Sequence, residues 1–172
     1  MNDNSNSSVM GEEFCFLGEF EHSLDTQRRI AIPSQWRNSD GGNRFILIPG
    51  RNRILQLIPY ESFKENFLSR AKKVSIADAE GARALATLGS RAQECVCDKQ
   101  GRIQVGQKLL EYAGLKEGVI LIGAVSTIQI WDVARWREQP ISDESYFDEV
   151  QKISESPDDF VNMMKGTLDR LK

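Results

Sequence analysis

The sequence repeats itself at an interval of 73 residues, and this feature most constrains the fold. When the chain is slid against itself by that distance, nine residues between Glu21 and Glu65 meet identical residues. They are Glu21, Asp25, Gln27, Arg29, Ile30, Gly41, Gly50, Gln56 and Glu65, which meet Glu94, Asp98, Gln100, Arg102, Ile103, Gly114, Gly123, Gln129 and Glu138. Apolar runs align without a gap, residues 46–48 on 119–121 and residues 55–58 on 128–131. We therefore predict a duplicated structural unit.

Each copy has the pattern of a small strand-rich unit. In the first copy we predict strands at 20–24, 29–32, 45–48 and 54–58, a turn at 25–28, and helical turns at 35–38 with Ser34 as N-cap. In the second we predict strands at 94–96, 102–105, 119–122 and 127–131, a turn at 98–101, and a helix at 107–113 that Gly114 ends. A unit of this size cannot bury its own faces, so the two copies are expected to interlock through a shared β core.

Helical spacing of apolar residues appears outside the repeated strands, at 60–71, at 76–92 and after Trp136. The predicted organisation is a disordered tail at 1–13, a first half with a trailing helix at 14–72, a connecting helix at 73–92, a second half at 93–139, and an acidic, mostly helical extension at 140–172. We interpret the apolar stripes as packing against the β core. The alternative, above all for the C-terminal tail, is contact with a neighbouring subunit.

The composition, 40% apolar and 27% charged, is that of a soluble globular protein. No stretch approaches the roughly 20 apolar residues of a membrane span, and the polar N-terminus does not resemble a secretory signal. These observations predict a cytoplasmic protein. The net charge is −3, but residues 140–172 carry −4 of it. A local basic patch elsewhere in the chain is therefore permitted.

Enzyme and metal chemistry find little support in the sequence. His22 is the only histidine, and its neighbours Glu21 and Ser23 would point to the opposite face of a strand, so we interpret it as a strand-surface residue. The three cysteines, Cys15, Cys95 and Cys97, are interpreted as inert thiols. No glycine-rich phosphate loop is present. We predict no catalytic activity, no cofactor and no small-molecule substrate.

Residues 25–33 and 98–105 resemble the Asp-x-x-Gly-Arg-Ile signature of the MraZ family. Two copies in one chain are the MraZ layout, whereas AbrB-type proteins carry one. Residues 16–20, residues 113–115 and the tryptophans Trp131 and Trp136 agree with the family pattern. The resemblance covers roughly Phe14 to Glu149.

The resemblance implies an α+β, β-rich fold, the double-split β-barrel built from two pseudo-symmetric AbrB-like, swapped-hairpin halves with flanking helices. It also implies a cytoplasmic, nucleoid-associated bacterial transcription regulator of the division and cell-wall gene cluster. Such proteins bind repeated promoter boxes in double-stranded DNA as ring-like homo-oligomers. An alternative is an assembly protein of the same fold that lacks DNA binding.

Carried over by position, the resemblance nominates Arg29 and Arg102 as DNA-contacting residues. Arginine in a tight turn can donate two hydrogen bonds to a guanine edge, and the neighbouring Arg28 and Lys99 would bind phosphates. Asp25, Asp98 and Gly101 would structure the two turns. The alternative reading of each Asp–Arg pair is a salt bridge that only pins its hairpin. We interpret the other basic residues of the first copy as solvated loop charges or subunit contacts; they are Arg37, Arg44, Arg51 and Arg53.

The sequence departs from the family pattern at two positions. Arg28 stands where the signature has glycine, which predicts a first turn of different shape. Gly106 stands where the first copy has Pro33, which predicts a weakened strand end.

Overall fold

The computed structural model describes residues 14–155. The predicted tail at 1–13 and the last part of the extension, residues 156–172, lie outside the described residues. The chain divides into two compact units, one ending at Trp136 and the other beginning at Arg137. In the second unit, helix α6 spans Asp143–Glu155, which confirms the helical stretch predicted after Trp136.

The first unit is a strand-rich α+β structure. Its strands are β1 (Glu19–Ser23), β2 (Arg29–Ala31), β3 (Arg44–Gly50), β4 (Ile54–Pro59), β5 (Gln93–Val96), β6 (Arg102–Gln104), β7 (Gly118–Ala124) and β8 (Thr127–Asp132). Helix α1 (Tyr60–Phe63) continues through a π-helical turn (Lys64–Leu68) into α2 (Ser69–Ala71), and the other helices of this unit are α3 (Ala79–Arg91) and α4 (Gln107–Ala113). Helix α5 (Val133–Arg137) spans the boundary of the two units in sequence. Short 3-10 segments occupy Ser34–Trp36 and Arg51–Arg53. Ser34 is the first residue of its segment, so the prediction that it is the N-cap was wrong.

The two copies exchange strands. Six strands form one antiparallel sheet in the order β1-β7-β8-β4-β3-β5, and β2 pairs with β6 in a second sheet. Strand β1 of the first copy thus lies on the hairpin of the second, and β5 of the second lies on the hairpin of the first. Each copy completes the other's sheet, which confirms the predicted interlocking.

An approximate twofold axis relates the copies. In the β2–β6 pair Ile30 lies opposite Ile103, and in the β4–β8 pair Gln56 lies opposite Gln129. In both cases a residue faces its own counterpart 73 positions away. Both isoleucines are fully buried, so the axis passes through the core.

The predicted gapless alignment is wrong in β3 and β7. Leu47 pairs with Leu57, whereas Leu121 pairs with Ile130, the counterpart of Leu57. The counterpart of Leu47 is therefore Leu121, 74 residues on. Three residues connect the first hairpin and two connect the second. Both strands are continuous apolar runs, in which a one-residue slip leaves the sequence pattern unchanged although it reverses the face of every side chain.

A single apolar cluster joins the two sheets. Its fully buried members include Phe16, Ile30, Ile32, Leu47, Leu55, Leu57, Ile103, Val105, Val119, Leu121, Ile128 and Ile130. His22 is half-buried on β1, and its Nε2 lies out of solvent contact without a hydrogen-bond partner among residues 14–155. Burial lowers its pKa and favours the neutral ring. The prediction of a strand-surface histidine is corrected accordingly.

The cysteines are unpaired thiols. Burial raises the pKa of Cys95 to about 12 and that of Cys97 to about 11, so both are protonated near neutral pH, as expected of inert thiols. Cys15 is exposed. Within residues 14–155, no group of side chains has the makings of a metal site, and no helix is long and apolar enough to cross a membrane.

Candidate nucleic-acid interface

Two turns, one in each copy, are built around an aspartate side chain. Oδ1 of Asp25 accepts the backbone N–H groups of Gln27 at 2.9 Å and Arg29 at 2.8 Å. Oδ1 of Asp98 accepts those of Gln100 and Arg102, both at 2.9 Å. This is the geometry of an Asx turn, in which a short polar side chain replaces a backbone acceptor.

Backbone hydrogen bonds close both turns in the same way. The Asp25 N–H donates to the Arg29 carbonyl at 3.1 Å, and the Arg28 N–H donates to the Asp25 carbonyl at 3.0 Å. In the second turn the equivalent distances, Asp98 to Arg102 and Gly101 to Asp98, are both 2.9 Å. The duplication thus extends from sequence to backbone geometry.

Each turn also holds its arginine. Nε of Arg29 donates to Oδ2 of Asp25 at 2.7 Å, and Nε of Arg102 donates to Oδ2 of Asp98 at 2.9 Å. Both arginine side chains are 27% exposed. The Nη atoms of Arg29 donate no hydrogen bond among residues 14–155, so the outer edge of its guanidinium keeps its donors.

The aspartates are charged in this environment. For Asp98, the hydrogen bond from the Arg102 backbone is the main cause of a lowered pKa, and the Arg102 guanidinium adds to it. For Asp25, burial raises the pKa, but hydrogen bonds from Arg29 and Gln27 together outweigh it and the net pKa is lowered. Both turns therefore contain an ionised carboxylate at neutral pH.

The two turns lie side by side because β2 pairs with β6. The Ile32 N–H donates to the Gly101 carbonyl at 2.9 Å, and the Val105 N–H donates to the Arg28 carbonyl at 2.8 Å. The second turn is thus hydrogen-bonded to the end of β2, and the first turn is hydrogen-bonded to the end of β6. Two segments 73 residues apart in sequence become one continuous surface.

The expected difference in shape between the turns is absent from their backbones. Arg28 adopts φ +59° and Gly101 adopts φ +75°, so both occupy the left-handed region. Arginine accepts this conformation at a strain of about 1 kcal/mol. Nη1 of Arg28 lies 3.5 Å from Oε1 of Gln107, at the start of α4.

Arg37 belongs to this surface, although the sequence did not indicate it. Its Nε donates to the Ile32 carbonyl at 3.0 Å, and its guanidinium lies against Gly101. Its counterpart at the repeat interval is Leu110, so Arg37 stands outside the duplicated pattern. Because most positions also differ between the copies, the sequence gives no signal that sets Arg37 apart.

Two further arginines of the first copy are exposed to solvent, as predicted, and also have partners within the chain. Nε of Arg44 lies 2.7 Å from Oε1 of Glu94, and its guanidinium carbon lies 3.6 Å from the centre of the Tyr60 ring. Nε of Arg53 donates to the Tyr112 carbonyl at 3.3 Å. Arg51 is exposed.

At the strand end at Gly106, a side chain satisfies the backbone N–H. The Gly106 N–H donates to Oε1 of Gln93 at 2.7 Å, and Nε2 of Gln93 donates to the Gln104 carbonyl, also at 2.7 Å. The first copy has Phe20 in place of Gln93 and Pro33 in place of Gly106. The first copy thus combines the apolar Phe20 with Pro33, which has no backbone N–H. The second combines the polar Gln93 with Gly106, which has one.

We call residues 25–29, residues 98–102 and Arg37 together the arginine-turn surface. It carries five cationic side chains, Arg28, Arg29, Arg37, Lys99 and Arg102, and two anionic ones, Asp25 and Asp98. Arg28 and Lys99 are exposed. The net charge of the arginine-turn surface is therefore positive, although the whole chain has a net charge of −3.

These features define a class of protein, a duplicated, strand-exchanged α+β chain that presents two matched arginine turns on one surface. The chain belongs to the MraZ family, because the family model described as "MraZ protein, putative antitoxin-like" matches residues 15–86 and again residues 88–155. The resemblance recognised in the sequence is thereby confirmed.

Individual relatives agree over most of their length. The chain is 37% identical over 123 residues to a protein of Clostridium acetobutylicum, covering 72% of this chain and 85% of that one. It is 31% identical over 140 residues to a protein of Clostridium tetani, covering 81% and 97%. It is 34% identical over 121 residues to a protein of Acetivibrio thermocellus, covering 70% and 83%. All three relatives are named "Transcriptional regulator MraZ".

Proposed function

We propose that this protein is a transcriptional regulator without catalytic activity, and that it binds double-stranded DNA through the arginine-turn surface. The observation that carries the proposal is the pair of turns with matching geometry, in each of which Nε of the arginine donates to the aspartate of the same turn. The names of the relatives support the regulatory role.

Arg29 and Arg102 are proposed to read bases. A guanidinium fixed at Nε is oriented before it meets DNA, so less side-chain freedom is lost on binding. Its remaining N–H groups suit the two acceptors of a guanine edge in the major groove. Asp25 and Asp98 act by holding the turns and arginines in place, and Gly101 supplies the left-handed turn residue.

Arg28 and Lys99 are proposed to bind phosphates. Both are exposed and sit next to a proposed base-reading arginine or within the same turn. Phosphate contacts fix the position of a protein on the duplex and contribute affinity that falls with salt concentration.

The finer features implied by family membership are part of the proposal. They are a double-split β-barrel of two swapped-hairpin halves at 14–72 and 93–139, the connecting helix at 73–92, a tail at 1–13 and an acidic extension at 140–172. They also include a ring-like homo-oligomer in the bacterial cytoplasm, associated with the nucleoid, that binds repeated boxes in the promoter of the division and cell-wall genes. Several arginine-turn surfaces in one oligomer would bind repeated boxes with avidity.

A second candidate is an assembly protein of the same fold without DNA binding. Two observations favour it: the sequence pI is about 5.3, and both proposed base-reading arginines are already paired with carboxylates. Under this reading the Asp–Arg pairs serve only to stabilise the turns.

Gel-shift titrations at several salt concentrations separate the two candidates. A duplex with repeated promoter boxes is compared with a scrambled duplex, using wild type, the double variant Arg29→Ala and Arg102→Ala, and the control Arg51→Ala, which removes an exposed arginine outside the surface. We expect specific, salt-sensitive binding that is lost only in the double variant. Binding that survives the double substitution would refute the site, and no binding by wild type at any salt concentration would favour the assembly protein.

A further inference from the structure

The two turns differ in the side chain at their left-handed residue. The first turn has the Arg28 side chain there, whereas the second has Gly101, which has none. The space beside Gly101 is nevertheless filled. A Cβ atom built on Gly101 would lie 2.2 Å from both Cζ and Nη1 of Arg37 and 2.6 Å from its Nε.

Arg37 is held in this position by a short chain of hydrogen bonds. Its Nε donates to the Ile32 carbonyl at 3.0 Å, and the Ile32 N–H donates to the Gly101 carbonyl at 2.9 Å. Ile32 is 1% exposed and Gly101 is buried, so the Arg37 guanidinium rests on a rigid base. The side chain comes from the first copy but lies on the turn of the second.

Part of the Arg37 guanidinium is available to a ligand. The residue is half-buried, and its Nη atoms donate no hydrogen bond among residues 14–155. An arginine fixed at Nε with Nη donors remaining repeats the state of Arg29. Such a group suits a phosphodiester oxygen, which accepts charge-assisted hydrogen bonds.

We infer that Arg37 is a further DNA-contacting residue, which supplies to the second turn the phosphate-binding cation that Arg28 supplies to the first. This inference rests on the proposed function. A side chain at position 101 would compete with the Arg37 guanidinium for the same space.

The test is the slope of log affinity against log salt concentration for the repeat-containing duplex. We expect Arg37→Gln to reduce the slope by about 0.9 for each subunit bound to DNA, the value for one phosphate that is no longer neutralised. Arg37→Lys retains the charge and should keep most of the slope. Gly101→Ala should reduce the slope although Arg37 is still present, because the added methyl group displaces its guanidinium. The matched control Arg51→Gln should leave the slope unchanged.

An unchanged slope in Arg37→Gln, with wild type binding normally, would overturn the inference and leave Arg37 as a residue that only covers the turn. A wild type that binds no duplex would instead overturn the proposed function and this inference with it. A measurement on wild type does not depend on how the variants fold. With 15N-labelled arginine, the Arg37 Nε–H signal should shift when duplex is added, and a stationary signal in a saturated complex would also overturn the inference.

Discussion

Nη1 of Arg102 lies 4.0 Å from Oδ2 of Asp25, the same oxygen that accepts Nε of Arg29 at 2.7 Å. Asp25 therefore serves two arginines, one from each copy, across the approximate twofold axis. Asp98 is within salt-bridge distance of Arg102 alone among residues 14–155. The two turns meet at the first aspartate, which is their point of junction, and Arg29 is the arginine that lowers the pKa of Asp25.

This unequal role predicts different effects of the same substitution. Asp25→Asn should shift the Nε–H signal of Arg29 and the Nη–H signals of Arg102, whereas Asp98→Asn should shift the guanidinium signals of Arg102 only. The side chain keeps nearly the same shape in both variants, so the comparison isolates the charge. Arginine-detected NMR spectra of the two variants measure it. A shift in Asp25→Asn that is confined to Arg29 would contradict the junction.

The turn carboxylates also predict how stability depends on pH. The pKa values of Asp25 and Asp98 are lowered from 3.8 in the folded state, so the folded protein binds these protons less readily than the unfolded chain. Their stabilising contribution is complete above pH 3.8 and is lost as the pH falls through the folded-state pKa values.

Denaturant unfolding of wild type and of the double variant Asp25→Asn and Asp98→Asn measures this contribution. The difference in unfolding free energy should be constant near neutral pH and should shrink as the pH falls below 3.8. A difference that grows on acidification would show that the signs of the pKa shifts are wrong.

Arg28 predicts a conflict between stability and binding. Its φ of +59° is strained for any residue with a Cβ. Arg28→Gly should raise the free energy of unfolding by roughly 0.5–1 kcal/mol, the relief of strain less the entropy that glycine gains in the unfolded chain. It should also weaken salt-sensitive DNA binding, because the charge proposed to bind a phosphate is removed.

Arg28→Ala is the matched control for this trade-off. It removes the same charge but leaves a Cβ at a positive φ, so binding should weaken equally without a gain in stability. Thermal unfolding and salt titrations on the three proteins provide both measurements. Equal stability of the glycine and alanine variants would argue against strain at this turn.

The pairing of Gln93 with Gly106 predicts an energetic coupling. Gly106→Pro fits the local φ of −64° but removes the N–H that Gln93 accepts, and should destabilise by about 1–3 kcal/mol. Adding Gln93→Phe reproduces the Phe20 and Pro33 combination of the first copy and should recover part of this loss. A double-mutant cycle by denaturant unfolding should yield a favourable coupling of roughly 0.5–3 kcal/mol. Strict additivity would mean that the two positions do not act as a pair.

Elements with local chemical signatures were predictable from the sequence. The Asp-to-Arg spacing determines the turns because an Asx turn needs its aspartate and amide donors within a few residues, and helix α4 ends at Gly114 with φ +61° as its sequence indicates. The register of β3 and β7 was not predictable, since continuous apolar runs do not distinguish the two faces of a strand. The position of Arg37 was not predictable either, because Gly101, against which it lies, is 64 residues away in sequence and is brought near only by the β2–β6 pairing.

The exchange of β1 and β5 has a consequence for how the chain could vary. One copy alone would leave a sheet edge unpaired, and two separate identical copies could build the same sheet as a homodimer. Joining them through residues 60–91 turns that association into an intramolecular event at high effective concentration. It also frees the two turns from being identical. In a fused chain, unlike a homodimer of identical copies, one turn can carry arginine at its left-handed residue while the other keeps glycine and receives its arginine from the opposite half.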